Sequence, residues 1–484
     1  GGARRDRDSR ERLLFELGEN RWKSGDHAAA RVAFAEAAGL ARAGRSPTRL
    51  ARAALGFGGG FRGFEVGVVE PPLIALLEEA LQALPPRPSG LRARVMGRLA
   101  VALYSVPDSL ARREALSREA VAVAARSGDQ AAHLSALYSR HWALWGVENL
   151  RERHAAAQAM IELAQRLGDR EMELHGQRFL LIDALELGDL PTIDASLAAL
   201  EELAALLRQP YYRWYAGYLR SMRIGLDGRF AEARAQSEQT FAKSEGLENR
   251  NVAQVYGAQM LWLRRETGEL AEVEPTLRGL AEQFPALPSW RCGWAFVLCE
   301  IERLEQARTQ FGILAANDFR DIPRNAFWTV AAFCLAHTCA ALGDARRAAV
   351  LYDLIAPFAD RIVESSLGAA AVGSMHEALG RLATTLRRWP VAERHFESAI
   401  AANQRLGAHH LCAHVRRHHA EMLLARAQPR DAARARELLL HAAATYQHLG
   451  LERQYARCAR LIDQSLAARR RPAPKAGDRI RLVR

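Results

Sequence analysis

The chain has 484 residues, 49% of them hydrophobic and 25% charged, a composition that excludes fibrous and disordered classes. No apolar run reaches the ~18 residues that a membrane span needs, and six scattered cysteines without a CxxC pair exclude a disulfide framework. The formal charge of +12 comes from arginines interleaved with acids, as on solvated helix faces, so neither nucleic acid nor a membrane is expected as a partner.

Helical periodicity begins close to the N-terminus. Residues 1–8 are predicted to be a disordered segment or the remnant of a tag, and a single domain is predicted over residues 9–468. The first helical pair has small and large residues at the spacing of a tetratricopeptide repeat, in which small residues let two antiparallel helices approach and large ones fill the groove between them. These positions are Leu14, Leu17, Gly18, Gly25, Ala30, Phe34 and Ala37.

A glycine-rich stretch, GFGGGFRGFEVG at residues 56–67, follows the third predicted helix. It lacks the Gly-Lys-Ser/Thr of a phosphate loop, and the preceding ARAALGF has the composition of a helix end and not of a strand. The stretch is predicted to be a long connection inside the second unit. A binding loop is the alternative, because long irregular loops in compact folds are often functional.

Glycines then recur every forty residues. Gly188, Gly228 and Gly268 each end one helix and open the next, and Gly128 and Gly168 mark unit boundaries at the same interval. Glycine accepts the left-handed backbone that ends a helix. The pattern predicts an all-α, tetratricopeptide-like solenoid of about eleven antiparallel helix pairs, forming a right-handed superhelix with a C-terminal capping helix near residues 451–468.

Aromatic residues with polar neighbours cluster on the first helices of three pairs, the helices expected to line the concave groove. A core seam explains most of these rings, because aromatic stripes at helical spacing usually pack. A ligand pocket is the sharper interpretation, and Trp142, Tyr212 and Arg213 are favoured because they fall off the seam. The candidate ligand-binding residues are His141, Trp142, Trp145, Tyr211, Tyr212, Arg213, Trp214, Tyr256, Arg291 and Trp294.

The segment HHLCAHVRRHH places His410, His414 and His418 on one helix face. Two histidines at i, i+4 can bind Zn²⁺, but a site needs further ligands, so the face is interpreted as a polar surface and only a weak metal candidate. No hydrolase, kinase, Walker or HExxH signature is present. We therefore expect no catalysis and no cofactor. Residues 469–484 are predicted to be a basic tail or linker.

Several segments resemble the C-terminal tetratricopeptide-type region of large bacterial ATP-binding transcriptional regulators of the signal-transduction ATPase and LuxR type. They are RHWALWGVENLRER, LRQPYYRWYAGYLRSMR with LDGRFAEARA, LPSWRCGWAF, ALGDARRAAVLYDLIAPFA and RRWPVAERHFESAIAANQRLGA, together with the junction GFGGGFRGFEVGVVEPPLIALLEEAL. The resemblance spans about residues 10–465 and includes neither the ATPase core nor the DNA-binding module of that family.

The resemblance implies a cytoplasmic, bacterial sensor region that takes part in signal transduction. Such a region would bind a small-molecule inducer or a partner protein in its concave groove and regulate an attached or associated ATPase or transcriptional regulator. The alternative is a free-standing scaffold that holds a peptide segment of a partner protein. A homodimer is compatible with either reading.

Overall fold

The computed structural model describes residues 2–24, 26–59, 67–247, 250–285 and 287–470. Twenty-three α-helices follow one another through these residues. They are α1 (Gly2–Lys23), α2 (His27–Ala43), α3 (Pro47–Phe57), α4 (Pro71–Ala83), α5 (Gly90–Ala102), α6 (Leu110–Ser127), α7 (Gln130–Ala143), α8 (Leu150–Leu167), α9 (Arg170–Leu187), α10 (Leu190–Leu207), α11 (Pro210–Leu226), α12 (Phe230–Ala242), α13 (Arg250–Thr267), α14 (Leu270–Gln283), α15 (Pro288–Glu300), α16 (Leu304–Leu314), α17 (Trp328–Leu342), α18 (Ala345–Ile355), α19 (Met375–Thr385), α20 (Trp389–Arg405), α21 (His409–Arg426), α22 (Asp431–His448) and α23 (Glu452–Arg470).

Successive helices pack as eleven pairs within the described residues, and α23 follows as a single last helix. This confirms the all-α, tetratricopeptide-like solenoid. Helix α1 begins at Gly2, and the interpretation of residues 1–8 as a disordered segment or the remnant of a tag stays a prediction. Gly25, residues 60–66 of the glycine-rich stretch and residues 471–484 of the basic tail lie outside the described residues.

The forty-residue spacing has the predicted physical origin. The glycines that end these helices adopt the left-handed conformation, with φ of 68° at Gly168 and 73° at Gly188. The aspartate that follows each of them then caps the next helix, since Asp169 accepts from the Met172 N–H at 3.0 Å and Asp189 from the Thr192 N–H at 3.3 Å. One residue ends a helix and its neighbour starts the next.

The first pair packs as its repeat pattern predicts. Phe34 of α2 is buried, and a β-carbon placed on Gly18 or Gly56 would lie within 2.5 Å of its ring. The glycines of α1 and α3 therefore make room for one phenylalanine between three helices. The Trp22 indole N–H donates to the Gly56 carbonyl at 2.9 Å and fixes the end of α3.

The first helix of each central pair is buried on two faces, whereas the second buries a single stripe. In α9, 13 of 18 residues are buried, against six of 18 in α10. The reason is a segment that the helical periodicity does not predict, an antiparallel hairpin of β1 (Ile362–Ser365) and β2 (Ala370–Ser374). The hairpin packs against the first helices α9, α11, α13, α17 and α19, and also against the second helix α20, and so fills the inner face of the solenoid.

Distant parts of the chain also contact one another. The Arg453 guanidinium of α23 donates to the Gly268 and Glu300 carbonyls, and Arg457 pairs with the Glu300 carboxylate at 2.6 Å. The last helix thus lies across the ends of helices more than 150 residues earlier, and the solenoid is closed over its middle.

Candidate functional site

A cavity with a volume of about 770 Å³ lies between the N-terminal units and the middle of the chain. Pockets of this size hold small organic ligands. Its walls come from the turn after α5, the start of α6, the connection between α16 and α17, and the end of α18. The lining residues are Gly67, Val69, Tyr104–Leu110, Arg113, Leu287, Phe319–Asn325, Trp328, Ala332, Leu335, Leu351, Leu354 and Ile355.

Tyr104 connects the two walls of the cavity, which are the near wall formed by the turn after α5 with the start of α6 and the far wall formed by the connection between α16 and α17. Its hydroxyl donates to the Trp145 carbonyl at 2.8 Å and accepts the Ala326 N–H at 2.9 Å, although Tyr104 and Ala326 are 222 residues apart. Burial raises the pKa of the phenol, against the opposing charge of Arg113, so Tyr104 is neutral and can both donate and accept. The cavity therefore exists only while these two parts of the chain are held together.

Arg113 lies in the first turn of α6 and is 4% exposed. Its guanidinium carbon sits 4.5 Å from the centre of the Tyr104 ring. Its Nε and Nη1 atoms are buried and have no hydrogen-bond partner, and no carboxylate of the described residues forms an ion pair with it. A buried cation without a compensating anion is costly, which makes Arg113 the most unusual group of the cavity.

The far wall is a short irregular segment between α16 and α17. Asp318 and Phe319 both have positive φ, 47° and 62°, a backbone state that costs a non-glycine residue of order 1–3 kcal/mol. Arg324 ties this segment to the connection between α7 and α8 through an ion pair with Glu148 at 3.0 Å. A β-carbon on Gly146 of that connection would lie 2.8 Å from the Arg324 carbonyl oxygen, so the two segments are in close backbone contact.

One side of the cavity is apolar. Trp328, Leu335 and Leu351 are buried and line it from α17 and α18. The cavity thus combines one buried charge with a hydrophobic wall, the combination that orients an amphipathic ligand.

The predicted aromatic residues lie elsewhere and are mostly interior. Tyr212 is fully buried and Trp142 is 4% exposed, so the expectation that they lie off the core seam was wrong. The reason is that neighbouring first helices pack over α7 and α11, and the hairpin also packs against α11. Tyr212 donates to Glu171, and Trp214 and the half-buried Tyr211 stack on each other.

These rings surround a cation of the chain itself. The Arg178 guanidinium of α9 is 1% exposed and lies 4.4 Å from the Tyr215 ring centre and 5.6 Å from that of Trp142. Beside it, His141 stacks on Phe179 at 3.8 Å. Trp145 is fully buried in the same group. The aromatic group that the sequence suggests as the wall of a ligand pocket is thus occupied by Arg178.

The other four candidates do not join this group. Arg213 is exposed, and Tyr256 stacks on Phe241 with ring centres 4.1 Å apart. Arg291 donates to Gln310 at 2.5 Å, and the Trp294 indole donates to Glu274 at 2.9 Å. The role of all ten residues in ligand binding stays a prediction.

The three candidate histidines of α21, His410, His414 and His418, are buried and contact different partners. His414 lies between the Glu266 carboxylate and the Tyr446 hydroxyl, at 2.8 Å from each. His410 packs against Phe230, and His418 donates to Glu377. They do not converge on a common point.

His418 instead belongs to a group with His337 and Glu377, whose potential ligand atoms lie within 4.8 Å of one another. The donor set would suit Zn²⁺, but its outer contacts do not fit. Arg381 donates to His337 Nδ1 at 2.7 Å and Arg417 to His418 Nε2 at 2.9 Å. A metal-bound histidine needs an acceptor for its second N–H, and an arginine can only donate.

This group is therefore a buried network of neutral imidazoles. Burial lowers the pKa of His337 and of His418 well below the usual value, and it raises the pKa of Glu377 to about 7. The network links α17, α19 and α21 and has the contacts of a structural element of the core.

Neither Tyr104 nor Arg113 is among the residues that the sequence motifs suggest, although one signal was present. Arg113 lies on the same stripe of α6 as Ser117, Ala120 and Ala124, which are buried. A charged residue on an apolar stripe indicates a buried charge. The partner wall has no such signal, because it approaches from a segment 200 residues away.

No protein family matches the chain, and no curated protein sequence does. Similar solved structures include a Rap protein complexed with competence and sporulation factor, at 14% identity over 71% of this chain and 99% of that one, with a TM-score of 0.40. Cut9 in the APC/C Cut9–Hcn1 hetero-tetramer structure has 12% identity over 94% and 96%, with 0.34. Yeast Tom70 has 12% identity over 96% and 93%, with 0.28. Among the described helices, none has the length and apolarity to cross a membrane.

Proposed function

We propose that this chain is a non-catalytic sensor module that binds a small ligand in the cavity between Tyr104 and Trp328. The observation that carries the proposal is the composite wall of the 770 Å³ cavity, which two distant parts of the chain build together. A ligand that fills it would contact both parts and stabilise the closed solenoid over an opened one. Binding of a ligand in the cavity would then increase the population of the closed form.

The first test uses 1-anilinonaphthalene-8-sulfonate, an amphipathic anion that fluoresces in apolar cavities, as the probe. Ala332 lines the cavity from α17 and is 3% exposed, so Ala332→Trp should fill part of the space. Ala340→Trp on the same helix is the matched control, because Ala340 does not line the cavity. We expect saturable binding to the wild type and the control, and loss of at least 10-fold in affinity for Ala332→Trp. Equal binding by all three proteins would disprove the assignment.

Hydrogen exchange tests the sensing step on the same samples. With the probe bound, amides of residues 319–328 should exchange more slowly, since the ligand would hold this segment against α6. Unchanged exchange there would mean that binding is not transmitted between the walls.

The family resemblance suggests that the chain acts within a larger regulator, and this part of the proposal is tested in the native cells. An immunoblot should show a band far above 53.6 kDa, the mass of this chain. A band at 53.6 kDa would favour a free-standing module. A peptide scaffold that uses the inner face would first have to displace the hairpin, whose residues 362–369 are all buried.

A further inference from the structure

We propose that the ligand of this cavity carries a carboxylate on an apolar body, with the carboxylate held by Arg113 and by the N-terminus of α6. This inference rests on the proposed function and names the chemistry of the same site. The shared chemistry has two sources, a medium-chain fatty acid and the free C-terminus of a short apolar peptide.

The first argument is the charge of Arg113. Guanidinium nitrogens that are shut off from water normally find acceptors, yet Nε and Nη1 of this buried residue have none. Arg178 shows how this fold accommodates a buried arginine without a carboxylate, since its Nε and Nη2 also lack a hydrogen-bond partner but aromatic rings surround it. Arg113 has a single ring beneath it, that of Tyr104, whose hydroxyl it also contacts, and the cavity lies beside it. An anion in the cavity would supply the missing acceptor.

The second argument is the helix end that faces the same space. Helix α6 has 18 residues, and its cap residue Ser109 lines the cavity without capping the helix. The Ser109 hydroxyl donates instead to the Leu103 and Val106 carbonyls, at 2.6 and 2.7 Å. The first turn of α6 contains no acidic residue. Its N–H groups and the positive end of the helix dipole therefore favour an anion at this point.

The charges around the opening do not satisfy this site. The carboxylates that line the cavity belong to Asp108 and Asp321, and both residues are exposed. Asp321 accepts from Asn317 at 3.1 Å, and neither aspartate forms an ion pair with Arg113. Arg320 and Arg324 add two exposed cations at the rim. A ligand carboxylate would supply the negative charge that Arg113 lacks.

The apolar side of the cavity indicates that the body of the ligand, to which the carboxylate is attached, is also apolar. Leu335, Leu351 and Ile355 line the cavity and are buried. A chain of about ten carbons or two to three apolar residues buries its surface there at about 25 cal/mol per Å². A polar sugar or nucleotide would leave its hydroxyls without partners on this wall.

The experiment measures binding by calorimetry at low salt with four probes. These are decanoate, decanamide, the peptide Leu-Leu-Val with a free carboxylate, and the same peptide as its C-terminal amide. We expect one acid to bind the wild type at least 10-fold more tightly than its amide, and that acid identifies the source. The comparison of acid with amide on the unmodified protein needs no variant and is independent of folding defects.

Arg113→Met keeps the length of the side chain and removes the charge. It should weaken the acid by about 10- to 100-fold, the range expected for a charge-assisted hydrogen bond, and leave the amide unchanged. Arg112→Met is the matched control, since Arg112 is exposed and pairs with Glu78 at 2.6 Å on the outer surface. It should bind both probes as the wild type does.

Two outcomes would overturn the carboxylate inference. One is equal affinity for acid and amide in the wild type, and the other is an acid preference that persists in Arg113→Met. Failure of all four probes while the fluorescent dye binds and Ala332→Trp abolishes its binding would also reject this ligand chemistry, and the proposed cavity function would stand. If Ala332→Trp left the binding of the fluorescent dye unchanged, both the proposed cavity function and the proposed ligand chemistry would be rejected.

Discussion

Two regions of this molecule solve the same electrostatic problem differently. Arg178 and Arg113 are both buried arginines without a carboxylate partner among the described residues. Arg178 is enclosed by aromatic rings, and the hairpin closes the space above them, as the Tyr218 hydroxyl donates to the Leu367 carbonyl at 3.0 Å. Arg113 is left beside an open cavity. We interpret the arginine enclosed by aromatic rings as an element of the core, and the arginine beside the cavity as the proposed ligand-binding group.

The largest expected effect is a difference in stability between alanine variants of the two arginines. Arg178→Ala should destabilise the protein by about 3 kcal/mol, because it leaves a closed void among packed rings and removes the cation–π contacts. Arg113→Ala should cost about 1 kcal/mol or less, because it only enlarges a cavity that is already open. Thermal midpoints of the two variants in one buffer measure the contrast. Equal losses would show that both arginines are core elements.

A second pair of variants separates the cavity wall from the hairpin. Tyr104→Phe removes a hydroxyl with two buried partners and should cost about 2 kcal/mol, with faster hydrogen exchange of the Ala326 amide. Tyr218→Phe removes the bond to Leu367 and should speed exchange in the hairpin only. If each change loosened both regions, the two would form one cooperative unit and the comparison would fail.

Glycine substitutions test how closely the α7–α8 connection approaches the segment between α16 and α17. Gly146→Ala places a methyl group 2.8 Å from the Arg324 carbonyl oxygen and should cost about 1–2 kcal/mol by pushing the α7–α8 connection away from the segment between α16 and α17. Gly257 lies inside α13 with nothing within 4 Å of an added β-carbon. Gly257→Ala should therefore stabilise the protein by about 0.5–1 kcal/mol. An unchanged stability of Gly146→Ala would mean that these two segments are not in contact.

A pH dependence of stability is expected in the region of the hairpin. Burial, and then the neighbouring Glu186, raise the pKa of Glu364 in β1 from 4.5 to about 8. The folded state therefore holds a proton that the unfolded state releases, and this glutamate makes stability fall as pH rises from about 4.5 to about 8.

Glu364→Gln keeps an acceptor for the Gly368 N–H, which Glu364 binds at 2.7 Å, and removes the titration. The thermal midpoint of the variant relative to the wild type should rise between pH 5 and pH 9 by at least about 2 °C. A constant difference across this range would show that Glu364 does not titrate with folding. Fluorescent-dye binding in the distant cavity should stay unchanged, which would confirm that the two regions are separate.

The amino-acid sequence by itself determined the helices, their ends and their number of pairs. Gly168 followed by Asp169, and Gly188 followed by Asp189, end and start helices through contacts within a few residues, so local chemistry suffices. The same holds for Phe34 against Gly18, because neighbouring helices of one pair meet in any solenoid of this type.

Only the tertiary structure decided which surfaces face solvent and where the cavity lies. The hairpin that covers Tyr218 comes from residues 362–374, and the wall opposite Arg113 comes from residues 319–328. Periodicity shows which face of a helix is apolar, but it does not show what covers that face. The superhelical path brings such segments together from 150 to more than 200 residues away, and that path depends on small packing angles summed over eleven pairs.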